Sequence, residues 1–309
     1  MSFLIDALSV AVVLSTPLVY AALGELIAER AGVMNLGVEG MMLVGAVSGF
    51  VVAVRVNSFT LAFLVAALAG AALALVHAVM SITLGVNQVV MGLTLTVLGT
   101  GLSSYIGSSF GDERLKGSVG TIPIPLLSDI PGVGEVLFRH DLLVYLAPVT
   151  VAGSALLINR TRVGLWLRAA GEAPAAADAA GVPVFAVRYA AVTIGGVLAG
   201  VAGAYLSLVY VGSWSDQMTA GRGWIALALV IFASWRPVLL LPGALLFGFI
   251  DALNFQLQLR GVSIPSPYLS MMPYVFTLVA LTIVWTRQRA RHWGMPEALG
   301  IPYEREARS

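Results

Sequence analysis

The sequence predicts an all-α fold, a polytopic membrane helix bundle of about nine transmembrane helices within a range of eight to ten. Three observations predict it. Of 309 residues, 59% are hydrophobic and 11% charged, whereas a soluble domain is about a quarter charged. Mean hydropathy is +0.92. Apolar stretches close to the length of about 20 residues that crosses a bilayer recur along the chain. Charge this sparse cannot coat a soluble fold, and disorder requires the opposite composition.

The elements follow in order. Residues 3–23 precede every basic residue; Arg30 is the first, and Asp6 stands where a cleavable leader would carry positive charge, so a span is expected there. Stretches 34–54, 59–82 and 88–106 come next. Between Arg55 and Asp112 there is no Asp, Glu, Lys or Arg, which fits two helices joined by a tight turn near Gly85 and Asn87. Stretches 142–158 and 185–208 bracket a polar loop over 160–184. Stretch 218–235 follows Gly and polar residues that run on to Gly223, which leaves its apolar part unusually short, and 238–257 and 269–285 complete the set. The whole chain, 1–309, reads as one membrane-embedded domain with a tail over 286–309. The loop 108–141 is rich in Gly and Pro and is expected to be ordered by turns over an outer mouth.

Basic residues set the orientation. With the N-terminus outside and the C-terminus in the cytoplasm, 11 of the 17 basic residues face inward, among them Arg160, Arg162, Arg168 and Arg188. Trp166, Trp235 and Trp285 then fall at the inner interface and Trp214 and Trp224 at the outer one, where indoles prefer to sit.

Composition also excludes chemistry. Cys is absent, so there is no disulfide framework, thiol nucleophile or Cys-ligated metal. A net charge of +1 gives no nucleic-acid footprint. The single lysine, Lys116, lies in no GxxxxGK[ST] loop, so any ATP must be bound by another subunit. His77, His140 and His292 lack metal spacing, and no carboxylate pair stands out as an acid/base couple; no catalytic residue, metal or cofactor is expected.

Polar side chains inside spans are costly and face a cavity or a partner. Glu39 and Asn35 are expected on one helical face, as are Asp251 and Asn254. Asn87 and Gln88 open a span. These six are candidates for a translocation path or gate, with interhelical hydrogen bonding as the alternative; His77 reads as a packing histidine. Polar and glycine residues before the short stretch 218–235 suggest a broken or re-entrant helix, with Asp216 and Arg222 placed to pair at the outer mouth. Gly45/Gly49 and Gly196/Gly200 have the spacing of close-packed helix faces, extended by Ala199, Gly203 and Ala204. No strong internal repeat is present, although Ala31-Gly32-Val33 is echoed by Ala180-Gly181-Val182.

Within 160–184, Pro174 suits a first helical turn, the alanines favour helix and Gly181 suits a left-handed end. A short, small-sided helix results, able to seat in a partner's groove or to rest on the membrane as a connector. Arg168-Ala169-Ala170-Gly171-Glu172 followed by Ala176-Ala177-Asp178-Ala179-Ala180-Gly181-Val182 resembles the cytoplasmic coupling loop of ABC importer permeases, in the branched-chain amino acid, ribose and nucleoside branch. Glu29–Met42 and Gly221-Arg222-Gly223-Trp224-Ile225-Ala226-Leu227-Ala228 are similar to segments of nucleoside-type permeases in that branch, with Trp224 where phenylalanine is expected. The resemblance spans Gly24 to Gly248.

The resemblance implies a permease subunit in a bacterial plasma (inner) membrane, importing nucleosides or a simple sugar such as ribose. Its partners would be a second related permease, a cytoplasmic ABC ATPase carrying ATP and Mg, an external solute-binding protein or lipoprotein, and membrane lipid. Glu172, Ala173, Pro174, Asp178 and Gly181 would couple it to the ATPase. An ion-gradient-driven secondary transporter, using Asp251 and Glu39, is the alternative class.

Overall fold

A computed structural model describes residues 2–259, 268, 271–272, 275–279, 282 and 294–303. Seven of its helices are long and apolar enough to cross a membrane. They are α1 (Ser2–Arg30), α2 (Val38–Val56), α3 (Phe59–Ala78, extended by a π-turn over Val79–Thr83) and α4 (Gln88–Gly107). After a turn-rich loop come α6 (Leu142–Arg160), α9 (Val184–Tyr205, with a π-turn over Leu206–Tyr210) and α11 (Pro237–Leu259). Shorter helices are α5 (Val133–Leu137), α7 (Arg162–Glu172), α8 (Pro174–Ala179) and α10 (Arg222–Phe232).

The expected spans and the observed helices therefore agree at seven places, and the expected span 269–285 falls mostly outside the described residues. Stretch 218–235 differs. Its helix, α10, has only 11 residues, about 16 Å of rise, or half the hydrocarbon thickness. The start of stretch 34–54 differs too, since α2 begins at Val38 and Asn35 lies in a turn before it.

Side chains at helix starts take up the N–H groups that no helical carbonyl reaches. Ser58 accepts from Leu61 N at 3.4 Å, Asn87 from Val89 and Val90 N at 3.0 and 3.1 Å, Asp141 from Leu143 and Val144 N, and Thr161 from Gly164 N. Loop 108–141 is ordered by turns, α5 and a short antiparallel ladder pairing β1 (Ile122–Pro123) with β2 (Arg139–His140). Ile5 of α1 lies beside Gly132 in this loop.

α9 is the hub, packed on α1, α2 and α3. In lipid no hydrophobic drive separates helix from solvent, so association relies on close packing of small residues. Gly45 of α2 meets Gly200, Gly70 of α3 meets Gly196 and Gly200, and Gly24 of α1 meets Gly195. The paired small faces expected from spacing are thus opposed to one another. α2 and α9 are buried over most of their length, α4 and α6 over about a quarter, leaving the latter two at the periphery.

A β-carbon at Gly203 would lie 1.8 Å from the Met42 carbonyl oxygen. Gly203→Val should therefore push α9 off α2 and destabilise the bundle by about 1–3 kcal/mol or more. Thermal unfolding of the detergent-solubilised protein checks this; an unchanged midpoint contradicts the packing described.

Candidate functional site

The broken span is the most unusual part of the bundle. After α9 the chain turns at Gly212 and stays non-helical to Gly221, with left-handed residues at Gln217 (φ 51°), Ala220 (47°) and Gly221 (79°). It is packed against the C-terminal half of α4. The Trp214 indole N–H donates to Ser103 Oγ at 3.3 Å, and its ring fills the space beside Gly107. Irregular backbone at membrane depth persists only where protein satisfies it.

Glu39 satisfies it. Its carboxylate accepts from Thr219 Oγ1 at 2.6 Å, Gly221 N at 2.8 Å and Gly223 N at 2.6 Å. The side chain is buried, as is Thr219. A carboxylate here matches the positive end of the α10 dipole and the otherwise orphaned N–H groups of its first turn. The neighbouring Gly40 packs on Leu95, Thr96 and Gly99, halfway along α4, which puts this cap near the middle of the membrane depth.

The lower end of α10 is held as firmly. Ser234 and Trp235 turn with positive φ, at 51° and 54°. The Trp235 indole N–H donates to Glu29 Oε2 at 2.5 Å, and Arg30 Nε and Nη2 donate to the Trp235 carbonyl at 3.0 and 2.8 Å. Glu39 and Glu29 thus bracket α10 top and bottom.

Between them, residues 31–37 form a second irregular stretch. Met34 N donates to Gln88 Oε1 at 2.7 Å, the Met34 carbonyl meets His77 Nε2 at 3.0 Å, and Asn35 N donates to Glu25 Oε1 at 2.8 Å. The Asn35 side chain accepts from Gly37 N at 3.0 Å. Gln88, His77 and Asn35 therefore serve this loop's backbone, and Asn87 caps α4.

The expected Asp216–Arg222 pair does not form. Arg222 opens α10 and reaches across to Asp251 of α11 at 3.4 Å, while Asp216, in the non-helical stretch, accepts from the Ser104 hydroxyl of α4. Asn254 is held by Gln258 Nε2 at 2.6 Å, so Asp251 and Asn254 take different partners. Asn35 and Glu39, unlike that pair on α11, do not share a helical face, because Asn35 precedes the helix.

Sequence reasoning missed Glu25, Glu29 and Arg188, all nearly inaccessible at 1%, 3% and 1% exposed. Charges at 25, 29 and 30 look like the end of a span, yet α1 runs on to Arg30. Two carboxylates one helical turn apart were the available signal. Among the described residues, no three His, Asp or Glu side chains converge to hold a metal ion.

The polar loop 160–184 folds as α7 and α8, with Pro174 opening α8. Gly181, at φ 84°, ends it: Gly181 N donates to Asp178 O and Val182 N to Ala177 O, both at 2.9 Å. Gly32 ends α1 in the same way, through Gly32 N to Glu29 O at 2.8 Å and Val33 N to Ala28 O at 3.1 Å. The echoed Ala-Gly-Val is this helix-ending motif, used twice. Ala175, Ala176, Ala179 and Ala180 are exposed and Ala177 is buried. Glu172 Oε2 accepts from Glu297 N at 3.3 Å.

Seven helices of membrane-crossing length among the described residues, a helix of half that length among them and a short helix pair on one face mark a multi-pass membrane protein. Residues 7–285 match the family described as branched-chain amino acid transport system / permease component, and the chain belongs to that family. It is 45% identical to the Haloferax volcanii protein provisionally named glucose ABC transporter permease protein TsgC13, over 99% of both chains. It is 36% identical to the nucleoside ABC transporter permease protein NupC of Lactococcus lactis, over 94% of this chain and 93% of that one. With the guanosine ABC transporter permease protein NupQ of Bacillus subtilis it shares 32% identity over 94% of each. A solved ABC transporter, provisionally described as of the metal-chelate type and in an inward-facing conformation, has the same fold, with a TM-score of 0.52 and 15% identity over 91% of this chain and 85% of that chain. The protein is an ABC transporter permease subunit, not an enzyme, and ATP hydrolysis lies on a separate subunit. The family implies an ATPase and a binding protein as partners.

Replacing Glu39 with Ala strands the Thr219 hydroxyl and two amides, each group left unpaired costing about 1–3 kcal/mol. Hydrogen exchange at residues 219–223 should accelerate sharply in Glu39→Ala and much less in Glu39→Gln, which keeps an acceptor. Equal exchange in Glu39→Ala and the native protein contradicts the capping role.

Proposed function

We propose that this subunit imports a polar, uncharged solute, a nucleoside in the first instance. The carrying observation is the charge balance at the break: Glu39 meets the α10 N-terminus and Asp251 meets Arg222. A helix start in the membrane is otherwise a site for an anion, and here the protein's own carboxylate fills it. A neutral solute suits such a surface. The nucleoside and guanosine relatives support the reading over most of the chain.

A simple sugar is the second reading, favoured by the glucose-named relative at 45% identity. Hydroxyl-rich solutes of either kind exchange hydrogen bonds with amides and hydroxyls. In this scheme Asp251 and Asn254 of α11 border the path, while Asn35, Glu39 and Gln88 hold the irregular backbone beside it. Asp216 and Arg222 lie on the outer side of that break. Glu39 and Asp251 are both engaged by donors, which speaks against ion-coupled transport through them.

The orientation inferred from basic residues puts α7 and α8 in the cytoplasm. There the exposed alanines of α8 would seat in a groove of the ATPase, with Glu172, Ala173, Pro174, Asp178 and Gly181 shaping the contact. A second, related permease completes the path, and a binding protein or lipoprotein delivers solute from outside.

Co-purified transporter in proteoliposomes tests the reading. Labelled guanosine uptake should require ATP and fall with excess unlabelled adenosine but not with glucose or ribose. The reverse competition selects the sugar reading, and uptake that persists with a hydrolysis-dead ATPase overturns both.

At Gly181, φ 84° and empty surroundings leave backbone strain as the sole penalty for a side chain, about 1–2 kcal/mol for an L-residue. Gly181→Val should assemble with the ATPase and hydrolyse ATP while losing most uptake. Native uptake per ATP in that variant would make the helix pair a mere connector.

A further inference from the structure

Arg188 is the largest fully buried side chain among the described residues, 1% exposed in the second turn of α9. No described carboxylate forms an ion pair with it. Its guanidinium instead gathers three carbonyls from three distant segments. Nε donates to Ala31 O at 3.1 Å, just past the end of α1; Nη2 to Ala170 O at 3.3 Å, in the last turn of α7; and Nη1 to Ile301 O at 3.4 Å, near the C-terminus. The first two carbonyls lie at helix C-termini, where the dipole favours a cation. A planar fork with several fixed donors suits such a junction, as an ammonium would not.

The three segments also touch directly. A β-carbon at Gly171 would lie 2.3 Å from Arg30 O, and one at Gly32 would lie 2.9 Å from Arg188 Nη2. Residues 294–303 run across this contact as a strap. Ala298 N donates to Gly171 O at 2.9 Å and Gly300 N to Gly32 O at 3.3 Å. The Tyr303 ring lies 5.7 Å from that of Phe185 on α9 and 6.0 Å from the Arg188 guanidinium carbon.

We infer that Arg188 and the 294–303 strap form a joint that locks α7–α8 to the end of α1, so that movement of the helix pair is passed to α10. The route beyond the joint is short. Glu29 and Arg30, one turn before Gly32, hold Trp235 at the foot of α10, and Glu39 holds its head. Arg188 is thus a positioning residue for transport, acting through other groups. The inference rests on α7–α8 being where the ATPase docks.

The test is hydrogen exchange on the transporter assembled with its ATPase, with ATP and vanadate and without nucleotide. Protection of 162–180 by the ATPase reports docking; exchange at 222–232 reports the broken span. In the native protein, nucleotide should change exchange at 222–232. In Arg188→Met, and in a chain lacking 294–309, docking should survive while the nucleotide response falls about fivefold or more, the lower range of a typical coupling between sites. Arg188→Lys should restore part of it. The truncation leaves every span in place, so it decides the matter where Arg188→Met fails to assemble. An undiminished response in both variants overturns the joint. Release of the ATPase by the truncation overturns it too, because the strap would then be part of the docking surface. Absence of protection at 162–180 in the native protein overturns the docking reading itself, a result distinct from the other two.

Discussion

An interrupted helix in hydrocarbon has no water to turn to, and that constraint organises this molecule. Every N–H and C=O set free by the break at Gly212–Gly221 needs a protein partner. Glu39 meets the demand at one end of α10, and Glu29 with Arg30 at the other. All three come from one short segment, running from the last turn of α1 to the first turn of α2. That segment is itself irregular over residues 31–37 and is steadied by Glu25, His77 and Gln88 from three different helices. Two irregular stretches therefore support each other at the centre of the bundle, inside a frame drawn tight by glycines. The Gly45–Gly200 and Gly70–Gly196 approaches bring backbones together where side chains would hold them apart, and α9 anchors that frame.

The pattern of spans was largely legible in the sequence, because crossing a bilayer imposes length and apolarity on each helix separately. The opposed small faces of α2 and α9 were legible from spacing. So was α8, whose proline start, alanine body and glycine end are local signals. The break in the seventh expected span showed as polar residues before a short apolar run. The contacts were not legible in the same way. Which carboxylate meets Arg222 depends on how α10 and α11 cross, and no local rule ranks Asp251 above the nearer Asp216. Asn35 and Glu39 have helical spacing, but the demands of the loop on Glu25 and Gln88 delay the helix to Val38.

The buried charges were hidden for a related reason. Glu25, Glu29 and Arg188 look like residues at the edge of the membrane, and by depth they are. They are nonetheless enclosed, Arg188 by α7 and the strap, Glu29 by the foot of α10, and Glu25 by the irregular stretch that starts α2. Resemblance pointed to Glu29–Met42 and to Gly221–Ala228 as two separate stretches. The structure shows why both are distinctive: each supplies the other's hydrogen-bond partners.

The neutrality of the break has an electrical corollary. A membrane potential does about 2.3 kcal/mol of work per elementary charge per 100 mV, and only on charge that is displaced. Asp216 and Arg222 are the charged residues between Gly212 and Phe232, and their signs are opposite, so a shift of this segment as a unit displaces little net charge. Depolarising the cell should leave its conformational equilibrium almost where it was, and the element is thereby insulated from the ionic state of the membrane it sits in.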